Sequence, residues 1–421
     1  MRVLFLSSEM PFPPTNGHCL HLASLIRVLA SEGHEVSLIS LVDQDAMEAD
    51  SLEAQQLCQE VDLIPWFPTT TASGDYLRRL RGLVSTWPYA ALRFASTEFT
   101  ASVRRHLDRG GFDVVICDMI YLLPHLPRDV STPVIVDTLG IAHVLFARYL
   151  PRLRNPLKRL YVWTECQKMR RWEIDWCSRA TAVAACSETE RLAFERLSPG
   201  VPVVLLPNVV DVDRYVPATE PPERERETLL YTGGMDWYPN QDAVEFFSYE
   251  VLPRIRERLP KAKFRVGGRR PSARLLRRYA DMDWIEFTGS LPDMRDEIKR
   301  ATLCVVPLRI ATGTRIKILE AGALERAVVS TRLGAEGLNF KEGKEIVLAD
   351  DPAAFAEAVV ELLTDPARRQ EVGRAARRRV EESYSVPALR SATRAALARV
   401  AGSRQDTGRA SLAIARECQE N

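Results

Sequence analysis

In the stretch LCVVPLRIATGTRIKILEAGALERAVVST, residues 303–331, two apolar runs flank a polar loop and a helical pattern. Leu303–Leu308 and Ala327–Thr331 are short and rich in β-branched residues, as buried strands are. A helix that begins near Gly313 or Thr314 would connect them as parallel neighbours. The stretch therefore predicts a β-α-β unit of a doubly wound sheet.

The same alternation of short apolar runs and longer helical patterns fills most of the chain of 421 residues. This alternation is typical of parallel sheets with helices on both faces. The predicted strands of the first half are residues 2–6, 34–41, 61–66, 113–117, 133–137, 180–186 and 201–207. Those of the second half are residues 228–234, 264–268, 284–289, 303–308, 327–331 and 345–349. We expect an α/β protein with two doubly wound, Rossmann-like domains in tandem.

A polar, proline-rich and charged segment at 216–227 has little to bury and marks the change of domain. The predicted domains are residues 1–215 and 216–385. A C-terminal helix is expected at 386–402, and it could cross back to the first domain. Residues 403–421 are polar and are expected to form a disordered tail.

The composition excludes several classes of protein. Lys and Arg number 57 and Asp and Glu 56, so no global field recruits nucleic acid. The eight cysteines lack zinc-ligand spacing, which favours a reducing compartment. The N-terminal apolar run is too short for a signal segment, and no run of about 18 apolar residues follows. We expect a cytoplasmic protein that does not span a membrane.

The loop GTRIKILEAG, residues 313–322, has the residue types that a nucleoside diphosphate needs. Ligands of open parallel sheets bind beyond the carboxyl ends of the strands. The amides of Gly313 and Thr314 at a helix start, with the cations of Arg315 and Lys317, would suit a diphosphate. Glu320 would lie one turn further on and could accept hydrogen bonds from a ribose diol. Alternatively, the charged residues solvate a surface helix and pair with one another.

Five segments, in this order, resemble the family 4 retaining glycosyltransferases of the GT-B fold, and most closely their sugar transferases from exopolysaccharide clusters. These segments are SSEMPFPPTNGHCLHLASLIRVLASEGHEVSLIS, AACSETERLAFERL, PNVVDVDRYVP, YTGGMDWYPNQDAVEFF and GTRIKILEAGALERAVVSTRLGAEGL. The resemblance covers nearly the whole chain.

The resemblance implies two Rossmann-like domains that face each other across a cleft, with the acceptor on the first domain and the donor on the second. It implies transfer of a sugar, with retention, from a nucleotide-diphosphate sugar to a glycan or lipid-linked glycan in polysaccharide or glycoconjugate biosynthesis. No cofactor and no metal are expected, because the three Asp-x-Asp patterns of the sequence fit loop or hinge residues better than metal ligands.

The family motif transfers only in part to the donor side. Glu320 matches the second Glu of the Glu-x7-Glu motif, which contacts the nucleotide ribose, whereas Thr312 replaces the first Glu. Gly234 and Pro239 replace the Arg and Lys that bind the diphosphate in the family. We hypothesise that the two cations of the GTRIKILEAG loop take over the diphosphate.

The first domain offers a glycine and three candidate catalytic residues. Gly17 in the loop PFPPTNGH opens a helix and would allow close approach of a phosphate or sugar, although an ordinary Pro-Asn-Gly turn explains it equally well. In the family a His soon after the fifth strand lines the catalytic centre. Here Asp137 is kept and His143 is displaced by about one helical turn, and Asp118 ends the preceding strand. His18 and His21 follow the loop, where a solvated or core histidine is the simpler interpretation.

Two segments of the first domain, 76–94 and 148–176, combine basic and aromatic residues. They fit an anionic membrane surface and a lipid-diphosphate acceptor, which would make the protein peripheral on the inner face of the plasma membrane. A charge-rich helix with a Trp-lined core face fits equally well.

Three other functions share the predicted fold. A sugar-nucleotide epimerase should have paired carboxylates and histidines, and a phosphorylase a cofactor lysine; neither pattern is evident in the sequence. A catalytically inactive partner subunit is the third alternative, suggested by the substitutions at Thr312, Gly234 and Pro239.

Overall fold

The computed structural model describes residues 1–42, 51–66, 82, 85–217, 227–291 and 293–417, with side chains described as far as residue 401. Contacts divide the chain into two compact units. The first contains Met1–Pro14, His18–Pro207 and the chain from Leu389 onward, and the second contains Thr15–Gly17 and Asn208–Ala388.

The first unit is built on a parallel sheet of seven strands in the order β3-β2-β1-β4-β5-β6-β7. The strands are β1 (Arg2–Ser7), β2 (Glu35–Val42), β3 (Glu60–Pro65), β4 (Val114–Asp118), β5 (Val134–Thr138), β6 (Ala182–Ala185) and β7 (Val203–Leu205). Their apolar runs are buried on both faces, as in parallel sheets covered by helices. The carboxyl ends of β1, β4 and β5 therefore form one edge.

Helices cover this sheet and begin where the sequence provides caps. They are α1 (Gly17–Ser31), α2 (Ser51–Leu57), α3 (Tyr89–Arg93), α4 (Thr97–Arg109), α5 (Ala142–Tyr149), α6 (Pro156–Cys177) and α7 (Glu188–Leu197). The side chains of Ser96, Asn155 and Ser187 accept amide hydrogens at the starts of α4, α6 and α7. Short 3₁₀ turns occupy Ile120–His125 and Leu150–Arg152.

The second unit has a parallel sheet of six strands in the order β10-β9-β8-β11-β12-β13. The strands are β8 (Thr228–Thr232), β9 (Lys263–Gly267), β10 (Ile285–Gly289), β11 (Leu303–Val306), β12 (Val328–Ser330) and β13 (Val347–Leu348). Both sheets have the doubly wound order that the alternating pattern predicts, so the predicted fold class is confirmed.

The helices of the second unit again follow capping residues or prolines. They are α8 (Tyr238–Phe246), α9 (Leu252–Arg258), α10 (Ala273–Arg278), α11 (Met294–Arg300), α12 (Ile316–Ala323), α13 (Arg332–Ala335), α14 (Pro352–Thr364) and α15 (Pro366–Ser383). A π-helical turn at Phe247–Val251 joins α8 to α9. Asp351 and Asp365 cap α14 and α15, each directly before a proline.

The units differ from the predicted domain limits at two places. The change of unit falls between Pro207 and Asn208 rather than at 215/216, because Val210 pairs with Ser385 and the segment is tied to the second unit. The last helix, α16 (Val386–Glu417), extends past the predicted limit at 402. Its sequence to Glu417 is rich in Ala, Arg and Leu, which are strong helix formers, so the expectation of a disordered tail from 403 does not hold for this part.

From Leu389 onward α16 groups with the first unit, where Arg390 and Arg394 form ion pairs with Glu32. Within the described residues, no helix combines the length and apolarity that crossing a membrane requires.

Candidate functional site

The loop between β11 and α12 carries the charged residues of GTRIKILEAG. Gly313 has φ 76°, a left-handed conformation that Gly adopts without strain. Arg315 is an extended N-cap residue (φ −97°, ψ 99°), and α12 begins at Ile316. The helix begins two or three residues after the predicted start near Gly313 or Thr314, because the chain turns at Gly313 before helical geometry begins.

Glu320 lies on α12 and is half-buried. Its Oε1 accepts a hydrogen bond of 2.8 Å from the hydroxyl of Tyr215, a residue of the PNVVDVDRYVP segment. Burial raises the pKa of Glu320, although Tyr215 and Lys317 act in the opposite direction. The carboxylate is therefore oriented by a neighbour but retains acceptor capacity for a ligand hydroxyl.

Lys317 precedes Glu320 by one turn and is also half-buried. Its ammonium lies 4.0 Å from the centre of the Tyr231 ring and 3.5 Å from Oδ1 of Asn240. Burial lowers the pKa of Lys317 to about 7, with the Glu320 carboxylate opposing that shift. Asn240 is itself fixed, because its amide donates to the carbonyl of Gly234 at 2.8 Å. An anion beside Lys317 would favour the charged ammonium.

Two glycine-containing loops approach each other beside Asn240. A Cβ on Gly268 would lie 2.1 Å from the carbonyl oxygen of Gly233, so only a glycine allows this approach. A Cβ on Gly234 would lie 3.6 Å from Cγ of Arg269 and 2.7 Å from a carboxylate oxygen of Asp236. The loop after β9 thus places the Arg269 side chain next to the position where the family motif has its arginine.

Arg315 does not occupy the position that the sequence suggested. It is 6% exposed, and its guanidinium donates to the carbonyls of Gly334 (2.8 Å), Leu333 (3.0 Å) and Glu336 (2.6 Å). These carbonyls lie in and just after α13, whose C-terminal end attracts a cation. The guanidinium of Arg315 therefore has a structural role within the second unit, which disfavours the predicted diphosphate contact.

The two threonines of the loop have different surroundings. The hydroxyl of Thr314 accepts a hydrogen bond of 2.7 Å from the amide of Asn208. Thr312, which replaces the first Glu of the motif, is half-buried. Its short side chain cannot reach as far as a Glu at the same position would.

In the first unit, Asp118 ends β4 and is fully buried. It accepts hydrogen bonds from the amide and hydroxyl of Ser8, at 3.0 and 2.6 Å, and lies 2.8 Å from Nε2 of His18. Nδ1 of His18 lies 2.7 Å from Glu9. Burial opposes the charged imidazolium, but Asp118 and Glu9 raise the pKa of His18 well above its usual value. Gly17, one residue before His18, opens α1.

A second histidine of α1 pairs with the other predicted aspartate. Nε2 of His21 lies 2.8 Å from Asp137, and both side chains are buried. Asp137 is the register neighbour of Asp118 on β5. His18 and His21 are three residues apart on the same side of α1, and each lies next to one of two adjacent carboxylates. The burial of Asp137 makes direct contact with an acceptor sugar geometrically unfavourable.

His143 lies in the first turn of α5, with a side chain that is 16% exposed. Its Nδ1 is 2.5 Å from Oε2 of Glu173 on α6. The same carboxylate accepts from the amides of Ala142 (2.6 Å) and His143 (3.1 Å). Glu173 thus caps α5 and fixes the orientation of the His143 ring, which directs Nε2 away from that carboxylate.

Sequence reasoning missed four residues of these clusters: Tyr215, Asn240, Arg269 and Glu173. Their partners are distant in the chain, and only Tyr215 and Asn240 lie in segments that carry the family resemblance. Among the residues that the structure describes, no group of three His, Cys, Asp or Glu side chains has the arrangement of a metal site.

Comparison with known proteins gives matches along most of the chain. Residues 16–209 match the model described as "Glycosyl transferase 4-like domain", and residues 226–365 match "Glycosyl transferases group 1". A Klebsiella pneumoniae protein described as an uncharacterized 44.6 kDa protein in a cps region is 22% identical over 91% of this chain and 96% of its own.

A Corynebacterium glutamicum GDP-mannose-dependent monoacylated α-(1-6)-phosphatidylinositol monomannoside mannosyltransferase is 31% identical over 43% of this chain and 52% of its own. The crystal structure of Anabaena Alr3699/HepE in complex with UDP and glucose has a TM-score of 0.66 and 12% identity, and covers 94% of this chain and 99% of that chain. At that identity the structural match concerns the fold.

Proposed function

Because the chain belongs to the GT-B family 4 glycosyltransferases and is a sugar-transferring enzyme, we propose that it uses a nucleotide-diphosphate sugar and acts with retention. The acceptor is a glycan or lipid-linked glycan, in polysaccharide or glycoconjugate biosynthesis. The cps-region description of the Klebsiella pneumoniae relative supports this pathway class. Complexes of a structural neighbour with UDP support the nucleotide donor.

The observation that carries the proposal is the Lys317–Glu320 cluster on α12. Glu320, held by the hydroxyl of Tyr215 at 2.8 Å, is the group that would accept hydrogen bonds from the ribose diol. Lys317, held over Tyr231 and beside Asn240, is the cation that would face the diphosphate. A carboxylate and a cation one helical turn apart are the residue types that the ribose and the diphosphate of such a ligand need.

Arg269 would complete the diphosphate site in place of the cations that Gly234 and Pro239 replace. Its side chain adjoins Gly234, and Gly234 is tied through Asn240 to Lys317. Arg269 and Lys317 therefore belong to one contiguous cluster in the second unit. A planar guanidinium and a compact ammonium would share the charge of the departing group.

The proposed reaction breaks the bond between the anomeric carbon and the donor phosphate oxygen. The acceptor hydroxyl forms a new bond to the same carbon on the same face, and its proton goes to the departing diphosphate. This chemistry requires positioning and charge stabilisation more than a strong protein base, and it needs no metal. His143, oriented by Glu173, is the candidate on the first unit for contact with the reacting sugar.

Calorimetric titration of the purified chain with UDP, GDP and ADP tests the donor site. We expect micromolar binding of one diphosphate, lost in Glu320→Ala and retained in Glu357→Ala, a matched carboxylate that is exposed on α14. Proton NMR of the product made from the matching sugar nucleotide tests retention. No binding of any diphosphate would exclude the proposed donor, and an inverted anomer would exclude retention.

A further inference from the structure

Helix α6 carries large apolar side chains on its surface. Leu157, Leu160 and Trp163 are 77, 58 and 50% exposed. A spacing of three residues places each one turn after the previous one, along one side of the helix. Other strongly exposed apolar side chains in the described part of the chain are separated by longer sequence intervals. The first two turns of α6 thus expose a concentrated apolar surface.

The remaining tryptophans of the same basic and aromatic segment pack against the core, with Trp172 buried and Trp176 partly buried. Trp172 is 5% exposed and its ring centre lies 4.5 Å from that of Trp87 and 5.2 Å from that of Trp176. The C-terminal half of α6 therefore has the Trp-lined core face, while its N-terminal half does not. Core packing explains Trp172 and Trp176, but it does not explain Leu157, Leu160 or Trp163.

The charge around the exposed half has one sign. The stretch from 138 to 164 contains no Asp or Glu. Four exposed cations surround the apolar residues: Arg152, Arg154, Lys158 and Arg159. Because no carboxylate of this stretch neutralises them, they produce a local positive potential on a chain whose overall charge is close to zero.

Apolar and basic groups share one open depression. Leu150, Pro156, Arg159, Leu160 and Trp163 line it, at the junction of the 3₁₀ turn and α6. An indole at this position can lie at the level of lipid head groups, with aliphatic side chains below it and a guanidinium beside the phosphates. We call Leu157, Leu160 and Trp163, with Arg152, Arg154, Lys158 and Arg159, the basic apolar face.

We propose that the basic apolar face binds the surface of an anionic lipid bilayer. Burial of its leucines and tryptophan would remove exposed apolar area from water, and its cations would lie among the lipid phosphates. A bilayer supplies an apolar layer beneath a negatively charged plane, which is the complement of this arrangement. The inference goes beyond the donor site and does not depend on which sugar is transferred.

Sedimentation of the full-length protein with vesicles tests this surface. We expect binding to phosphatidylcholine vesicles that contain phosphatidylglycerol, weakening as salt rises, and little binding to phosphatidylcholine alone. The double variant Arg152→Glu, Arg154→Glu should bind at least about 25-fold more weakly, at about fivefold for each cation removed. The double variant Leu160→Ser, Trp163→Ser should bind the anionic vesicles at least about tenfold more weakly, because its apolar side chains no longer insert into the bilayer.

Leu276→Ser is the matched control, because Leu276 is an exposed leucine on α10 outside this face. It should bind anionic vesicles as the unchanged protein does. Equal affinity for neutral and anionic vesicles, or unchanged binding in both double variants, would overturn the proposal. If the protein does not bind vesicles but forms a dimer, and the double variant Leu160→Ser, Trp163→Ser is a monomer, the basic apolar face binds a second copy of the chain instead. Since the substituted side chains are exposed, unaltered thermal unfolding checks that each variant is folded.

Discussion

The ionisable side chains at the carboxyl edges of the two sheets have opposite pKa shifts: the charged form is favoured in the first unit and disfavoured in the second. In the first unit, His18 lies between Asp118 and Glu9, and these carboxylates raise its pKa despite burial. In the second unit, burial lowers the pKa of Lys317 to about 7 and raises that of Glu320. In the first unit the carboxylates compensate the charge of His18, whereas in the second unit Glu320 compensates the charge of Lys317 only in part. An anionic donor would supply the missing compensation, which is the difference expected between a structural cluster and a ligand site.

Breaking the first edge should have the largest effect on stability. Asp118→Asn leaves the imidazolium of His18 without its fully buried charged partner, and removal of one member of a buried ion pair costs about 3 to 5 kcal/mol. We expect calorimetry to record a clear loss of stability. Asp129→Asn, on an exposed loop, should unfold like the unchanged protein. Equal stability of the two variants would mean that the Asp118 cluster does not hold this edge together.

Removing the cation of the second edge should instead affect ligand binding. Lys317→Met keeps the aliphatic contacts but removes a charge-assisted contact to the diphosphate, so we expect about 100-fold weaker binding, or about 2.7 kcal/mol. Folding should not be weakened, because burial disfavours the charged form. Lys344→Met provides an exposed control. Titration with the diphosphate that the protein binds measures both, and unchanged affinity in Lys317→Met would remove Lys317 from the site.

Arg315 tests whether neighbours in one loop have separate roles. Arg315→Met removes three hydrogen bonds to the carbonyls in and after α13, and we expect a loss of stability of about 2 kcal/mol. Donor affinity should change by no more than about threefold, since the guanidinium donates to carbonyls of the second unit rather than to the ligand. Thermal unfolding and titration separate the two effects. Unchanged stability with much weaker donor binding would restore Arg315 to the diphosphate site.

Arg269 should show the smallest effect, because its side chain lies in a neighbouring, partly exposed loop. Arg269→Ala should weaken diphosphate binding by about tenfold and leave nucleoside binding unchanged, since only the phosphate contact is lost. Arg274→Ala, exposed on α10, is the matched control. If Arg269→Ala weakened binding of the nucleoside as much as binding of the diphosphate, Arg269 would not contact the phosphates.

The fold and part of the second edge could be predicted because both are local in sequence. The strands follow from short apolar runs, and Lys317 and Glu320 lie in one motif. The partners Tyr215 and Asn240, and the pairing of His18 with Asp118, join residues far apart in the chain, which no spacing rule reveals. The contacts of Arg315 could not be predicted for the same reason: the carbonyls to which it donates belong to a later turn. Charged side chains in one motif therefore identify a site but do not tell which of them remain available to a ligand.

The number of protons taken up on donor binding tests whether Lys317 is the cation that faces the diphosphate. Because the pKa of Lys317 is about 7 in the free protein, this lysine is mostly neutral at a pH of about 8 and must be protonated to bind the diphosphate. Calorimetric titration of the diphosphate at that pH, in two buffers of different ionisation enthalpy, should show an uptake that approaches one proton. The variant Lys317→Met should show no such uptake. Binding without proton uptake, or with equal uptake in that variant, would contradict the account.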